Sequence, residues 1–294
     1  VLSGNNTQRV IYHDEYYYDN QVVVDGFTIA NGKAEGEYDE GYGGGVMIYG
    51  TGLNLRNCVI RDNTATRGGG LYLSNYDTPV VNCKIYGNTA EEGGGVAMSE
   101  GYLYNSLIYN NTATENAGGV FYQYGRIFNC DIVNNICASA TGFGGISGEG
   151  DKPLDKGDRG VNDYNILNCV VWGNKSDGVS SQVNENDYNT RLAYSAVEGG
   201  CTGMAILNLA SANVGRGASY PKFTDPTNND FTLQNGSMMI GRGYYAIREM
   251  PNYFPLTDLA GNDRVRHDDI EVDLGGRIVD VVEVEGRDTV AAAD

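Results

Sequence analysis

The sequence is poor in the features that mark several common protein classes. Its 294 residues include 6 prolines, 2 histidines and 1 tryptophan, and 20 basic residues stand against 38 acidic ones. A formal net charge of -18 would repel a nucleic-acid backbone and disfavour an anionic membrane surface, so neither partner is expected. No run of 18 apolar residues occurs, and the sequence therefore predicts no transmembrane helix.

Motifs for metals and nucleophiles are missing as well. The six cysteines lack the paired C-x-x-C spacing of a zinc site, and His13 and His267 belong to no metal or nucleophile motif. We therefore predict no metal centre and no cofactor. The alternative is a Ca²⁺ ion at the acidic insertion of residues 33–40, although that stretch lacks the Asp-x-Asp-x-Asp-Gly spacing of a calcium loop.

Glycine is abundant, and it recurs together with asparagine at a fixed period. The chain has 42 glycines, roughly twice the average usage. An Asn-Cys-x-Ile-type segment returns every 23 to 25 residues, and a fifth copy follows a longer step; the copies begin at Asn57, Asn82, Asn105, Asn129 and Asn168. Glycine runs lie between the copies, at residues 43–45, 68–70, 93–95, 118–119 and 144–145. Two markers that share one period indicate one structural unit.

The repeated unit predicts the fold class. Its short apolar stretches are separated by Asn, Gly and Thr, which indicates about three strands and three turns. A leucine-rich repeat would need a Leu-x-x-Leu-x-Leu framework, and a propeller blade would need about 40 residues. We predict an all-β fold, a right-handed single-stranded parallel β-helix of about seven coils between residues 10 and 200. Residues 1–201 would form this β-helix with an N-terminal cap, and residues 202–294 a β-rich segment that packs on it or caps it.

Stacked coils place equivalent residues in columns, so the interior can be predicted. Two positions before each repeated Asn the residue is aliphatic, and one position after it the residue is small. The aliphatic column is Leu55, Val80, Leu103, Ile127 and Ile166, and the small column is Cys58, Cys83, Ser106, Cys130 and Cys169. We expect both columns to fill the core, the alternatives for the cysteines being disulfides between coils or a metal site. The Asn column itself suits a ladder of side-chain amides at a bend.

The repeat is interrupted by a long mixed-charge insertion, which is a candidate for an active or binding loop. Its weak catalytic candidates are Asp151, Asp155, Asp158 and Arg159. Loops that break a regular scaffold often carry function, but an ordinary surface loop would have the same composition. This insertion follows the glycine-rich strand, whereas the acidic insertion of residues 33–40 precedes it. We therefore expect the two insertions to leave from different corners of the coil.

An outward column of large side chains provides the candidate ligand-binding residues. It runs four positions after each repeated Asn, through Arg61, Tyr86, Tyr109, Val133 and Trp172, and Tyr72 and Phe121 face outward near the glycine runs. Aromatic rings in line can stack on sugar faces, so we predict Tyr72, Tyr86, Tyr109, Phe121 and Trp172 as ligand-binding residues. The alternative is that these rings cover the outer sheet or are themselves covered by the C-terminal segment.

Catalysis finds little support in the outward positions. Polysaccharide lyases and hydrolases need clustered carboxylates, often beside a basic residue. Here Lys84 and Asp131 share a column but lie two coils apart, roughly 10 Å, with Leu107 between them. The sequence favours a non-catalytic protein over an enzyme.

The motifs together resemble those of a family of bacterial surface proteins. These proteins carry polymorphic outer-membrane-type repeats and end in a choice-of-anchor Q-like module. The resemblance covers nearly the whole chain and rests on the Gly-Gly-Gly and Asn-Cys-x-Ile repeats and on residues 22–29, 170–174, 194–200, 221–226, 229–237 and 258–265. It implies a pectin-lyase-like β-helix that is exported and found at the cell surface or outside the cell.

The resemblance also implies a function class. We expect a non-catalytic binding scaffold or adhesin, monomeric, with a glycan or a surface protein as its partner. The alternative is a carbohydrate-active enzyme, a polysaccharide lyase or glycoside hydrolase, that uses the loop from Asp151 to Asp163. Since the chain begins at Val1 without a leader, we expect that an export signal has been removed and that further residues precede it.

Overall fold

The computed structural model describes residues 1–14, 22–74, 79–149, 165–184, 190–200, 207–208, 221–234 and 237. Short strands recur along this part of the chain and stack into coils. Each coil has strands on up to four faces, which we number in chain order as faces 1 to 4. Residues 151 to 163, including the candidates Asp151, Asp155, Asp158 and Arg159, lie outside the described residues.

The strands of each face have these bounds. Face 1 contains Val22–Asp25, Leu53–Arg56, Val80–Val81, Tyr102–Tyr104, Arg126–Phe128 and Ile166–Leu167. Face 2 contains Leu2–Ser3, Thr28–Ala30, Val59–Arg61, Lys84–Tyr86, Leu107–Tyr109, Asp131–Val133 and Val170–Trp172. Face 3 contains Lys33–Ala34, Thr64–Ala65, Thr89–Glu92, Thr112–Asn116, Ile136–Cys137, Lys175–Ser176 and Val179–Ser180. Face 4 contains Ile11–His13, Val46–Tyr49, Leu71–Ser74, Val96–Glu100, Val120–Tyr122 and Ile146–Gly148.

Further elements complete the described part. The strand Leu192–Val197 continues both face 1 and face 2, and Leu207–Asn208 pairs with it. The strands Phe223–Asp225 and Asp230–Leu233 form an antiparallel hairpin. Two 3₁₀-helices span Tyr38–Gly41 and Pro226–Asn228.

Pairing between coils is parallel on all four faces, apart from Val179–Ser180, which is antiparallel to Lys175–Ser176. On face 1, for example, Leu55, Val80 and Leu103 stand in register on successive coils. Five coils carry a strand on every face, a sixth does so on three faces, and partial coils continue the stack at both ends. The predicted parallel β-helix of about seven coils is confirmed.

The interior of the stack contains the two predicted columns. The aliphatic residues from Leu55 to Ile166 are fully buried, and so are Cys83, Cys130 and Cys169. The five described cysteines are free thiols, and burial raises the pKa of Cys83 and Cys130 well above the ordinary thiol value. Core filling, the predicted role of these cysteines, is therefore confirmed.

The repeated asparagines form a turn column between face 1 and face 2, which we call the outer column. Asn57, Asn82, Asn105, Asn129 and Asn168 all have φ between 50° and 56°, a left-handed conformation that asparagine tolerates better than most residues. The amide of Asn57 donates to Asp25 at 2.8 Å, Asn82 donates to Asn57 at 3.2 Å, and Asn105 donates to Asn82. The predicted amide ladder is therefore present in the first coils. At Asn129, which is fully buried, the side-chain amide makes no hydrogen bond with the described residues.

A second set of asparagines, not predicted from the sequence, forms an inner ladder inside the stack. Its members come six positions after each repeated Asn and are almost completely buried: Asn63, Asn88, Asn111, Asn135 and Asn174. From Asn63 to Asn135 each Nδ2 donates to the Oδ1 of the next member at 2.9 to 3.0 Å, and all five also donate to a backbone carbonyl. Each Oδ1 from Asn88 onward also accepts a backbone N–H of the preceding coil, as Asn88 accepts from Asn63 at 3.0 Å.

The glycine runs make room for this inner ladder. A Cβ atom on Gly45, Gly70 or Gly95 would lie 2.7 to 2.8 Å from the Nδ2 of the facing asparagine, which is too close for any side chain. The repeated glycines and the inner-ladder asparagines are therefore two sides of one contact. Glycine at this corner lets the buried amides approach the backbone.

Candidate functional site

The outward column of face 2 is present as predicted. Backbone pairing sets Arg61, Tyr86, Tyr109, Val133 and Trp172 side by side on successive coils. The rings of Tyr86 and Tyr109 stack with their centroids 4.8 Å apart. The parallel register therefore produces the line of rings that the repeat indicated.

The C-terminal hairpin covers the middle of this column. Phe231 is fully buried and meets the ring of Tyr109 edge-on at 5.6 Å, while Phe223 packs edge-on against Phe231 at 5.4 Å. Asn110 also donates a hydrogen bond to Asn229 at 2.7 Å. Tyr109 is only 9% exposed as a result. It was predicted as an open ligand-binding ring, but apolar rings from the hairpin exclude solvent from it.

Beyond the covered rings, the hairpin and the β-helix border an open cleft of about 1030 Å³. The half-buried ring of Trp172 lies in this cleft, so the structure brings one of the five predicted ligand-binding residues to it. The described residues that line the cleft are Asn110, Asn134, Ile136, Trp172, Gly173, Lys175, Glu198, Pro221, Lys222, Phe223, Pro226, Thr227, Asn229 and Gln234.

Glu198 extends the outward column by one coil. Val170 pairs with Ala196 and Val171 with Val197, which places Glu198 beside Trp172 on the next coil. The asparagine pattern did not predict this residue, because Tyr194 occupies the turn position that asparagine holds in the earlier coils. Tyr194 has a φ of 48°, like those asparagines. Counting the column four positions past Tyr194, as for the other coils, would have found Glu198.

Hydrogen bonds hold the Glu198 carboxylate firmly. Its Oε2 atom accepts from the backbone N–H of Gly173 at 3.0 Å, the hydroxyl of Ser180 at 3.2 Å and the amide of Gln182 at 2.6 Å. Within the described part of the chain, its Oε1 atom accepts no hydrogen bond. One carboxylate oxygen is therefore fixed by the protein, and the other belongs to a residue that lines the cleft.

The remaining polar groups of the cleft are amides and ammonium groups. Asn110, Asn134, Asn229 and Gln234 supply carboxamides, and Lys175 and Lys222 are exposed cations in a strongly acidic chain. Glu198 is the single carboxylate among the described lining residues. Glycoside hydrolysis ordinarily uses two carboxyl groups across the scissile bond, and this set supplies one.

Tyr72 and Phe121, two other predicted ligand-binding residues, lie on face 4 and do not line the cleft. Tyr72 stacks on Tyr42 with centroids 4.4 Å apart, and burial raises the pKa of its phenol to about 12. Phe121 is 4% exposed, with the guanidinium of Arg67 5.4 Å from its ring centroid. Its ring was expected to be open, but the neighbouring corner covers it. Tyr86 stays half-buried in the stacked pair on face 2.

An acidic edge runs beside these face 4 rings. Glu92 pairs with Arg67 at 2.6 Å, and burial raises its pKa, with repulsion from Glu149 and Glu115 adding to the effect. The insertion of residues 33–40 precedes the same corner, and Lys33 pairs there with Glu35 at 2.8 Å. The described residues contain no group of three or more His, Cys, Asp or Glu side chains arranged to hold a metal ion. The calcium ion considered for this insertion stays a prediction.

Comparison with known proteins places the chain in a family. Residues 2–152 and 44–218 match the family described as the right-handed β-helix region, and the chain belongs to that family. Domains of this family occur in pectin-lyase-like enzymes and in adhesins. No curated protein and no solved structure matches the chain. None of the described helices is long and apolar enough to cross a membrane.

Proposed function

We propose that this protein is a non-catalytic carbohydrate-binding scaffold, an adhesin at the cell surface or outside the cell, whose glycan site is the cleft beside Trp172. The half-buried Trp172 ring among carboxamide side chains is the observation that carries the proposal. Such a ring offers a flat apolar face for a sugar and keeps its edge near polar groups. A glycan is therefore the expected partner, and we expect the protein to bind it as a monomer.

The polar lining of the cleft matches the hydrogen-bonding capacity of a sugar. Carboxamides both donate and accept, as hydroxyl groups do, so Asn134, Asn229 and Gln234 can each engage neighbouring hydroxyls. Hydrogen bonds already fix part of this lining, since Gln234 donates to the carbonyl of Phe223 at 3.2 Å. A largely preformed concave site with a few placed polar groups is the usual form of a ligand site.

The same lining favours binding over catalysis. A second carboxylate facing Glu198 would be needed for the common hydrolytic mechanisms, and the described lining holds none. Export and surface location are supported by the occurrence of the family in adhesins and by the resemblance to surface proteins. The net charge of -18 suits a ligand other than a nucleic acid.

A binding experiment tests the proposal. The protein is screened on a glycan array, and the affinity of the best ligand is measured by calorimetry for wild type, Trp172→Ala and Trp172→Phe. We expect Trp172→Ala to weaken binding about tenfold or more, because an aromatic anchor is lost, and Trp172→Phe to weaken it less. Tyr124→Ala is the matched control, since Tyr124 is 60% exposed and does not line the cleft.

Two outcomes would overturn the proposal. One is equal binding by wild type and Trp172→Ala, which would place the ligand elsewhere. The other is release of reducing ends or unsaturated products from the bound glycan by wild type, which would make the protein an enzyme and favour a role for the loop from Asp151 to Asp163.

A further inference from the structure

The inner ladder has a direction. Each carboxamide donates toward the C-terminal end of the stack, from Asn63 to Asn88, then to Asn111, Asn135 and Asn174. An asparagine whose Oδ1 accepts from the preceding coil uses its Nδ2 to donate to the following coil. The last member therefore needs an acceptor beyond it, because a buried N–H without a partner is costly.

Gln182 is the last carboxamide of the inner ladder, and it donates a hydrogen bond to Glu198. Its Oε1 accepts from the Nδ2 of Asn174 at 2.8 Å and from the backbone N–H of the same residue at 3.2 Å. Its Nε2, which carries two hydrogens, lies within hydrogen-bonding distance of three acceptors, the carbonyl of Asn174 at 3.0 Å, Ser180 Oγ at 3.0 Å and Glu198 Oε2 at 2.6 Å. Gln182 is 6% exposed, so the ladder joins the buried interior to a carboxylate of the cleft.

We propose that Glu198 determines the ligand class of the cleft and that Gln182 is its positioning residue. The proposal rests on the proposed glycan-binding function. Because Gln182, Ser180 and Gly173 occupy Oε2, the carboxylate keeps one orientation and presents Oε1 to the ligand as a hydrogen-bond acceptor. An acceptor beside Trp172 selects a sugar with a free hydroxyl or N–H at that point.

The same acceptor discriminates against negatively charged sugars. A carboxylate or sulfate on the sugar at that point would meet the half-buried Glu198 carboxylate, and like charges repel. Lys175 and Lys222 line the cleft but are exposed, so solvent screens their attraction. The site therefore takes neutral glycans in preference to uronic or sulfated ones of the same length.

Two substitutions test the role of each residue. Glu198→Gln keeps the shape, and its carbonyl can still accept from Gln182, so an amide donor replaces the acceptor that faces the ligand. We expect its affinity for the best of cellohexaose and mannohexaose to fall about tenfold, and its relative affinity for hexagalacturonate to rise. Glu149→Gln, on the acidic edge of face 4, removes the same charge away from the cleft and should leave both affinities unchanged.

Gln182→Glu tests the positioning role. It places a second carboxyl group at hydrogen-bonding distance from Glu198, and two such groups share a proton instead of both ionising. We expect affinity to gain a pH step, with binding lost as pH rises and the shared proton leaves, while wild type shows no such step. A purely structural role would lower the unfolding midpoint without adding a pH step to the affinity.

The outcomes separate this proposal from the general function. If Trp172→Ala weakens binding while Glu198→Gln and Gln182→Glu leave ligand preference and pH profile unchanged, the proposal is wrong and glycan binding stands. If wild type binds hexagalacturonate better than the neutral hexamers, the proposal is also wrong. If wild type binds no glycan, the proposed preference for neutral glycans and the proposed glycan-binding function are both wrong. NMR then tests whether Gln182 contacts Glu198. If it does, the Gln182 side-chain amide signals should shift in Glu198→Gln and stay unchanged in Glu149→Gln.

Discussion

The two asparagine columns use the same side chain for different physical reasons. In the outer column the residue is held at positive φ, and its amide bonds a neighbouring side chain at some coils, as at Asn82, but makes no hydrogen bond with the described residues at Asn129. In the inner ladder the backbone is ordinary, and the buried amide makes hydrogen bonds to side chain and backbone on both sides. One column therefore depends on backbone conformation, and the other depends on the carboxamide group.

The replacements that each column tolerates follow from this difference. Along the outer column, Gly26 has a φ of 74° and Tyr194 one of 48°, so other residues take the turn without the amide. At the C-terminal end of the inner ladder the replacement is Gln182, which keeps the carboxamide, and at the N-terminal end Gly32 stands opposite Asn63 and supplies only its backbone N–H. Glycine keeps the turn but removes the amide. It should therefore destabilise the outer column less than alanine does, and the inner ladder at least as much as alanine does.

The largest effect is expected for Asn111→Ala in the inner ladder. The change removes the acceptor of the Asn88 amide and of its backbone N–H, and it removes the donor to the carbonyl of Ile85. Buried groups left without partners should lower the free energy of unfolding by about 3–5 kcal/mol. Urea denaturation followed by circular dichroism measures it, and Asn111→Gly should be at least as damaging. A loss under about 1 kcal/mol would show that the ladder adds little.

An intermediate effect is expected for Asn82→Ala in the outer column. Alanine at the φ of 56° costs about 1–2 kcal/mol, and the hydrogen bonds with Asn57 and Asn105 are lost as well. We expect a loss of about 2–3 kcal/mol in the same assay, whereas Asn82→Gly, which accepts this φ, should lose about 1 kcal/mol less. Equal losses for the two variants would mean that the hydrogen bonds and not the backbone decide this position.

The smallest effect is expected for Asn129→Gly. This asparagine has a φ of 53° and makes no side-chain hydrogen bond with the described residues, so glycine keeps the turn and removes a buried polar group. The free energy of unfolding should stay within about 0.5 kcal/mol of wild type. A large loss here would contradict the view that the outer column depends on conformation, and Asn129→Ala provides the paired control for the backbone.

The sequence predicted those features that repeat with the coil. The aliphatic and cysteine columns could be identified because every coil buries the same positions, from Leu55 to Ile166. The inner ladder also repeats and was within reach, since an asparagine stands six positions after each repeated Asn. It was missed because an isolated asparagine between strands looks like a turn residue, and nothing local indicates that the side chain points inward.

The cleft was harder to predict because it depends on contacts without a period. Phe231 reaches Tyr109 from 122 positions along the chain, and no repeat relates the two residues. Trp172 was identified from its column, but whether its ring would be open or covered depended on where the hairpin packs. Glu198 was missed because Tyr194 interrupts the asparagine pattern just where the column enters the cleft.

The one-way order of the inner carboxamides also gives the stack an electrical polarity. Six aligned amides, from Asn63 to Gln182, add their dipoles along the axis as peptide groups do in an α-helix, with the positive end at Glu198. At the other end the backbone N–H of Gly32 donates to Asn63, which satisfies the negative end. Inserting or deleting whole coils between these ends would change the length of the array and leave both ends intact. Such a protein can therefore grow by duplicating coils while the electrostatic setting of its cleft is preserved.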